Sequence, residues 1–353
     1  DISTSIGHVA VNGNVSDIQP GKLDFVGKVS TNKVKLGRLL SKEPLLGDVA
    51  LDAQIEAKVK RGRVDGSLKG SVPFIDFKGY RYSNINADVM VDGDALDGLV
   101  SVDDPNCQAS INGLLKKAGT QSEVDAGLEV RHANLEALHL MKGNDKCNLS
   151  LEASASFYGN KIDNATGDIE VRNLALVDGE DKGLHIKSFL LEANNENVPQ
   201  SITVTSDFLN GNVSGSYDFV SLVPVMQNVL SQSLPSLIKQ NDKELNNRRE
   251  NDFKFDFTLE PQPELQPMFK LPVNVIYKTT INGYVNESDG SFAVSLNAPY
   301  LQQGNKVIES TYVEAMKRSN EDNVKLKAQT IFPLKRGKTR VELNGNAVND
   351  RLD

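Results

Sequence analysis

Apolar residues fall on every second position through most of this chain. The run from Ile85 to Val91 shows the pattern, and the segment from Phe253 to Leu259 shows it most cleanly, with Phe, Phe, Phe and Leu on alternate positions. Alternation of this kind predicts β-strands that have one apolar face and one polar face. Turn residues, mainly Gly, Asn and Asp, separate the runs, so the sequence predicts an all-β protein.

The spacing changes to a helical period at one place. Leu222, Val225, Met226, Val229 and Leu230 begin a series at helical spacing, which predicts one amphipathic helix over residues 221–238 with Ser221 as its N-cap. The polar run that follows, residues 239–252, is predicted to be a loop and is the best candidate for disorder.

The repeated strands predict a single continuous repetitive β unit over residues 1–353, interrupted by that helix. One-sided strands can pack as two facing sheets, close into a barrel or solenoid, or curl part of the way and leave an apolar trough. Alternation alone does not choose among these three arrangements.

Composition excludes several classes of protein. The net charge is −8, and no cluster of Lys and Arg is interleaved with aromatic residues, so nucleic acid is not an expected partner. There is no Trp, and no apolar run approaches the ~20 residues of a membrane span. The two cysteines, Cys107 and Cys147, suit buried free thiols better than a metal site, and a single bridge in an oxidising compartment is the alternative.

No catalytic or metal-binding motif is present. The four histidines have no ligand spacing, and the nucleophile and phosphate-loop motifs are missing from the sequence. The segment from Asp92 to Asp103 resembles a calcium loop only in part, because its glycine is misplaced and its twelfth position is not Glu. We therefore predict a protein that is not an enzyme and that needs no metal or cofactor.

Three motifs, taken in their order along the chain, carry a family resemblance. The first runs from Val72 through Lys-Gly-Tyr-x-Tyr-x-Asn-Ile to Ile85, and the second is Asp-Gly-x-Val-x-Val-x-Asp-Pro-Asn over residues 97–106. The third begins at Val204 as Val-x-Ser-Asp-x-Leu-x-Gly-x-Val-x-Gly-x-Tyr-Asp-Phe and leads into the helix with its Leu234-Pro235. In these motifs, residues 20–345 resemble the TamB family of the AsmA-like group, most closely its Bacteroides-type members.

The resemblance implies a long curled antiparallel or mixed sheet that forms an open hydrophobic groove, a β-taco, in the periplasm. It implies transport of phospholipid between the inner and outer membranes, with acyl chains as the partners. This chain resembles a middle section of such a protein. The full-length protein is then expected to be anchored in the inner membrane and to meet a BamA-type outer-membrane barrel through segments outside this sequence.

If the groove exists, the large apolar residues of the clearest strands are expected to line it. These are Ile85, Val89, Val91, Ile202, Val204, Phe253, Phe255, Phe257, Leu259, Phe292, Val294 and Leu296. The alternative for each is ordinary core packing. We expect Phe255→Glu to block transport and leave the fold largely intact.

Two other functions stay open beside the conduit. An assembly scaffold for outer-membrane proteins would use the open edge of the same sheet to template an incoming strand. A β-sandwich adhesin or glycan binder is the third reading, and the absence of Trp counts against it.

Overall fold

The computed structural model describes residues 2–43, 45–141, 147–180, 182–233, 239, 249–266, 271–334, 337–348 and 351–352. The chain divides into two compact units. Unit 1 comprises Asp1–Asn160 and Ile169–Lys187, and unit 2 comprises Lys161–Asp168 and Ser188–Asp353. The all-β prediction is confirmed, because strands dominate both units and every described strand pairing is antiparallel.

The elements of the first half of the chain are mainly long strands, many of them joined by tight turns. They are β1 (Ile2–Thr4), β2 (Gly7–Gln19), β3 (Lys22–Lys35), the single helical turn α1 (Leu36–Leu39), β4 (Leu46–Lys60), β5 (Arg63–Phe77), β6 (Tyr80–Asp92), β7 (Ala95–Asp104), β8 (Cys107–Ala118), β9 (Gln121–Asn134), β10 (Asn148–Gly159), β11 (Thr166–Val177) and β12 (Gly183–Asn194). From β1 to β10 each strand pairs with the next one in the chain. The described pairings of unit 1 do not close it into a barrel.

Unit 2 is built in the same way, with helix α2 inserted between β14 and β15. Its further elements are β13 (Gln200–Ser206), β14 (Leu209–Ser216), α2 (Phe219–Ser233), β15 (Asp252–Leu259), β16 (Asn274–Val275), β17 (Thr279–Asn286), β18 (Ser291–Gln303), β19 (Lys306–Lys317), β20 (Val324–Leu334), β21 (Gly337–Val348) and β22 (Arg351–Leu352). Strand β15 pairs with both β14 and β17, so the insertion of the helix does not interrupt the sheet.

Helix α2 begins two residues earlier than its periodicity predicts. Asp218 is the N-cap, because the backbone N–H of Ser221 donates to its Oδ1 at 2.9 Å. The prediction that Ser221 caps the helix is therefore wrong, and Pro224 lies inside the helix rather than in its first turn. Residues 234–238 of the predicted helix and 240–248 of the predicted polar loop lie outside the described residues, while Asp252 already belongs to β15.

The tyrosine and aspartate motifs of unit 1 build a structural hydrogen-bond network at one end of its strands. Asp104, only 2% exposed, accepts hydrogen bonds from the Tyr80 hydroxyl, from the backbone and hydroxyl of Ser83, and from the Asn106 backbone. Burial opposes ionisation of Asp104, but these hydrogen bonds outweigh it and hold the pKa of its carboxyl below the usual range. The network fixes two neighbouring turns against each other.

Candidate functional site

The candidate site in unit 1 is one face of its sheet, which we call the apolar face of unit 1. The strand register places the alternating apolar residues of β2 to β10 directly opposite one another, so that they form continuous rows across nine strands. Three rows are Val11, Val29, Ala53, Gly70, Ala87, Val100, Ile111, Leu128 and Ala153; Gly13, Gly27, Ile55, Leu68, Val89, Gly98, Gly113, Ala126 and Ala155; and Val15, Phe25, Ala57, Gly66, Val91, Leu96, Leu115, Val124 and Phe157. None of these 27 positions carries a charged or polar side chain.

The opposite face of the same strands is polar. A typical row runs through Asn12, Lys28, Gln54, Lys69, Asp88, Leu99, Asn112, Gly127 and Ser154. Ion pairs cross this face, such as that between Lys28 Nζ and Asp52 Oδ1 at 2.7 Å. Such pairs are exposed and contribute little stability, but they keep this face wetted.

Large side chains on the apolar face of unit 1 are exposed to solvent. Leu96 is 46% exposed, Ile111 49% and Leu115 51%. Residues of this size are normally covered by a second layer in a β-sandwich. In the described part of unit 1 no second sheet or helix covers them, so a broad apolar surface stays open.

Glycines shape this face. Gly98 and Gly113 lie opposite each other in one row, and Gly113 has φ +142°. A Cβ on Gly98 would lie 2.4 Å from the carbonyl oxygen of Asp88, and one on Gly113 would lie 2.1 Å from that of Asp125. The backbones of adjacent strands therefore approach too closely at these two positions for any side chain, as glycines inside strands often allow at bends or close backbone contacts.

One end of the apolar face is closed by the chain itself. Ile85 is only 9% exposed, and it is paired with Val102, which packs with the buried cluster of Cys107, Ala133 and Leu138. Leu138 belongs to the turn segment after β9 and covers the strand ends there. Cys107 is a buried free cysteine, as predicted, whereas Cys147 is only half-buried, and burial raises the pKa of the Cys107 thiol.

Unit 2 repeats the row arrangement. Ile202, Phe255 and Val294 fall in one row, and Val204, Phe257 and Leu296 fall in the next. The complete rows are Ala193, Ile202, Val213, Phe255, Gly283, Val294, Ala315, Leu326 and Gly345; and Leu191, Val204, Gly211, Phe257, Ile281, Leu296, Val313, Ala328 and Leu343. Phe253 and Phe292 share a third row with Val285, and Leu259 stands opposite Leu209.

Helix α2 covers part of this second face. Val225 and Val229 are buried in one cluster with Phe253, and Phe255 and Phe257 pack against that cluster. Phe253 is 6% exposed and Phe292 3%. This part of unit 2 is a closed core, whereas Val313 (41%) and Leu343 (56%), further along the rows, are exposed.

A buried polar network fixes the start of the helix. The Tyr217 hydroxyl donates to Asn195 Oδ1 at 2.5 Å, and the Tyr217 backbone N–H donates to Gln200 Oε1 at 3.0 Å. Asn251, which precedes β15, donates from Nδ2 to the Ser221 hydroxyl at 3.2 Å. Burial raises the pKa of Tyr217 to about 12, so the phenol stays a donor at neutral pH.

The register thus brings the predicted lining residues together on two apolar faces, one in each unit. Val89 and Val91 lie on the open face of unit 1, while Ile85 lies at its closed end. The expectation that Phe255→Glu leaves the fold intact is not supported by this placement, because Phe255 packs beneath α2. Leu96, Ile111 and Leu115 were not among the predicted lining residues, and nothing in the sequence showed that they would be exposed members of this face.

Other kinds of site find little support in the described residues. No group of three or more His, Cys, Asp or Glu side chains there is arranged to hold a metal ion. A shallow cavity of about 450 Å³ lies on the polar face of unit 1 around Lys69, Ser71 and Asp88. Neither α1 nor α2 combines the length and apolar character that a membrane-crossing helix needs.

Comparison with known proteins gives no relative. No protein-family model, no curated protein and no solved structure matches the chain.

Proposed function

We propose that this chain is a section of a periplasmic, TamB-like conduit whose apolar face binds phospholipid acyl chains. The observation that carries the proposal is the continuous, uncharged and exposed apolar face of unit 1. A surface of that extent on a soluble chain marks a site for an apolar partner.

The dimensions of the face suit acyl chains. Nine strands at the usual spacing of ~4.8 Å make a strip about 40 Å wide. One leaflet of a bilayer is about 15 Å deep in hydrocarbon, half of the ~30 Å core. A lipid can therefore lie flat on the face with its chains covered and its head group in water.

The energetics explain why no chemical step is needed. Each methylene that leaves a bilayer for water costs about 0.8 kcal/mol, so a chain of ~15 methylenes faces a barrier of about 12 kcal/mol. A continuous apolar lining replaces the lost hydrocarbon contacts at every position. The close strand approach at Gly98 and Gly113 supports a face that curls toward the lipid rather than lying flat.

Lipid analysis of the purified protein tests the proposal. Native mass spectrometry should detect bound phospholipid, and delipidated protein should take up lipid from vesicles. Protein that neither retains lipid nor acquires it would contradict the conduit.

A further inference from the structure

A loop at one end of unit 1 that contains several backbone hydrogen bonds presents leucines to solvent. The loop, residues 35–46, contains the single turn α1 and joins β3 to β4. Leu39 is 57% exposed, Leu40 53% and Leu45 41%. Three exposed leucines within seven residues are unusual, because isolated exposed apolar residues are common but clusters are not.

The exposure does not come from a loose backbone. The N–H of Lys42 donates to the carbonyl of Gly37 at 2.7 Å, and the N–H of Leu46 donates to the carbonyl of Lys42 at 2.9 Å. A Cβ on Gly37 would lie 1.8 Å from the Leu46 carbonyl oxygen, so only glycine allows this packing. The loop is held in the conformation that turns Leu39 and Leu40 outward.

Basic side chains surround these leucines. The side chains of Lys35, Arg38 and Lys42 form no ion pair with any described residue, and Glu43 is the single acid in residues 35–46. The neighbouring β5–β6 turn adds Lys78, whose backbone N–H donates to the Leu45 carbonyl at 2.9 Å. Residues 35–43 therefore carry three basic side chains against one acidic side chain, although the whole chain has a net charge of −8.

The exposed apolar surface continues onto a third segment. Nδ1 of His139 lies 3.3 Å from the Lys78 carbonyl oxygen, which places the turn after β9 beside the β5–β6 turn. In that turn Leu140 and Met141 are each 44% exposed. We call the combination of residues 35–43, residues 45–46, Lys78 and residues 139–141 the leucine rim.

We infer that the leucine rim docks unit 1 onto the surface of an anionic phospholipid bilayer. Exposed leucines beside Lys and Arg are the combination that inserts at the boundary of head groups and acyl chains. Each nearby basic residue strengthens binding to anionic lipid by about fivefold. The inference goes beyond the proposed conduit, because it concerns where the protein meets a membrane and does not require lipid on the apolar face.

The absence of Trp from the native chain provides a clean test of insertion. The Leu39→Trp variant carries a single Trp, and we mix it with vesicles of phosphatidylcholine containing one quarter phosphatidylglycerol. Its emission should shift to the blue and be quenched by brominated lipid. Leu99→Trp, on the polar face at a site that is 49% exposed, is the matched control and should show neither effect. An unchanged Leu39→Trp spectrum would overturn the inference.

The electrostatic contribution to membrane binding is tested by removing one basic charge. Lys42→Gln should weaken binding to these vesicles about fivefold, and the effect should fade at high salt. Lys254→Gln, at an exposed position in unit 2, should leave binding unchanged. Equal weakening by both substitutions would refute a specific basic rim. Concentration-dependent dimerisation that Leu39→Ser abolishes would show that the leucines contact a second copy of the chain instead.

Discussion

Two leucines on strand β7 allow the two faces of unit 1 to be compared directly. Leu96 lies on the apolar face, between Val91 and Leu115, and is 46% exposed. Leu99 lies three residues away on the polar face, between Asp88 and Asn112, and is 49% exposed. The substitutions Leu96→Glu and Leu99→Glu therefore introduce the same charge into the same strand at equal exposure.

The cost to folding should be small and similar in both variants. Complete burial of a leucine contributes about 1.5–3 kcal/mol, so a side chain that is half exposed contributes about 1 kcal/mol. The new carboxylate stays in water in the lipid-free protein at either site. The melting temperatures of the two variants should therefore be similar to each other and only slightly lower than that of the parent protein.

Lipid binding should separate the two variants. A chain lying across the apolar face would cover the carboxylate of Leu96→Glu, which costs at least about 2 kcal/mol and reduces affinity roughly thirtyfold. Leu99→Glu should bind lipid as the parent does. Native mass spectrometry and displacement of a fluorescent fatty acid measure the difference.

Two results would refute this reasoning. Normal lipid binding by Leu96→Glu would show that acyl chains do not lie on this face. An equal loss in both variants would show that binding depends on overall charge or stability rather than on the face.

Three further predictions concern the fold. Phe253→Ala should lower the free energy of unfolding by about 3–5 kcal/mol in urea titrations, because its ring is buried under α2; a loss below ~1 kcal/mol would argue against a closed core there. Gly113→Ala should cost about 1–3 kcal/mol because of its positive φ and the close Asp125 carbonyl, whereas Gly179→Ala, with open space around it, should be neutral. The pKa of Asp104 is lowered in the folded state, so the contribution of its carboxylate to the free energy of unfolding is present above about pH 4 and is lost as the pH falls through the folded pKa. Asp104→Asn should therefore make the free energy of unfolding depend less steeply on pH in the acid range. An unchanged pH dependence would contradict the hydrogen-bond network.

The strand pattern and the division into two faces could be predicted from the sequence. Side chains alternate with a period of two, so Val89 and Val91 had to share a face once β6 was recognised. The register then followed from short turns and from the need to keep apolar rows together. The same argument correctly placed Phe253, Phe255 and Phe257 on one face of β15.

The covering of each face could not be predicted in the same way. Alternation assigns Phe255 and Leu96 to apolar faces. It contains no information that a helix packs on the face of Phe255 and leaves the face of Leu96 exposed. That contact depends on Val225 and Val229 meeting a sheet distant in sequence. The early start of α2 was missed for a related reason, because Asp218 caps a helix whose first turn has little apolar periodicity.

The structure gives the Tyr80 and Asp104 motifs a physical explanation that the sequence did not supply. In sequence, Asp104 and Asn106 are turn-forming residues, and nothing marks Asp104 as buried. In the structure Tyr80 and Ser83 donate hydrogen bonds to it across the β5–β6 and β7–β8 turns. The motif therefore holds neighbouring strand ends together. The candidate binding residues are the ordinary apolar residues of the strands that lie between the motif residues.

The helix of unit 2 also bears on where lipid would bind. An acyl chain that replaced α2 over Phe253, Phe255 and Phe257 of β15 would have to expose Val225 and Val229, at a cost of about 3–6 kcal/mol for two buried valines. No such cost applies at Leu96 or Leu115, where the face is already exposed. Under the proposed function, acyl chains should therefore occupy unit 1 before the covered part of unit 2, where α2 already packs on the apolar face.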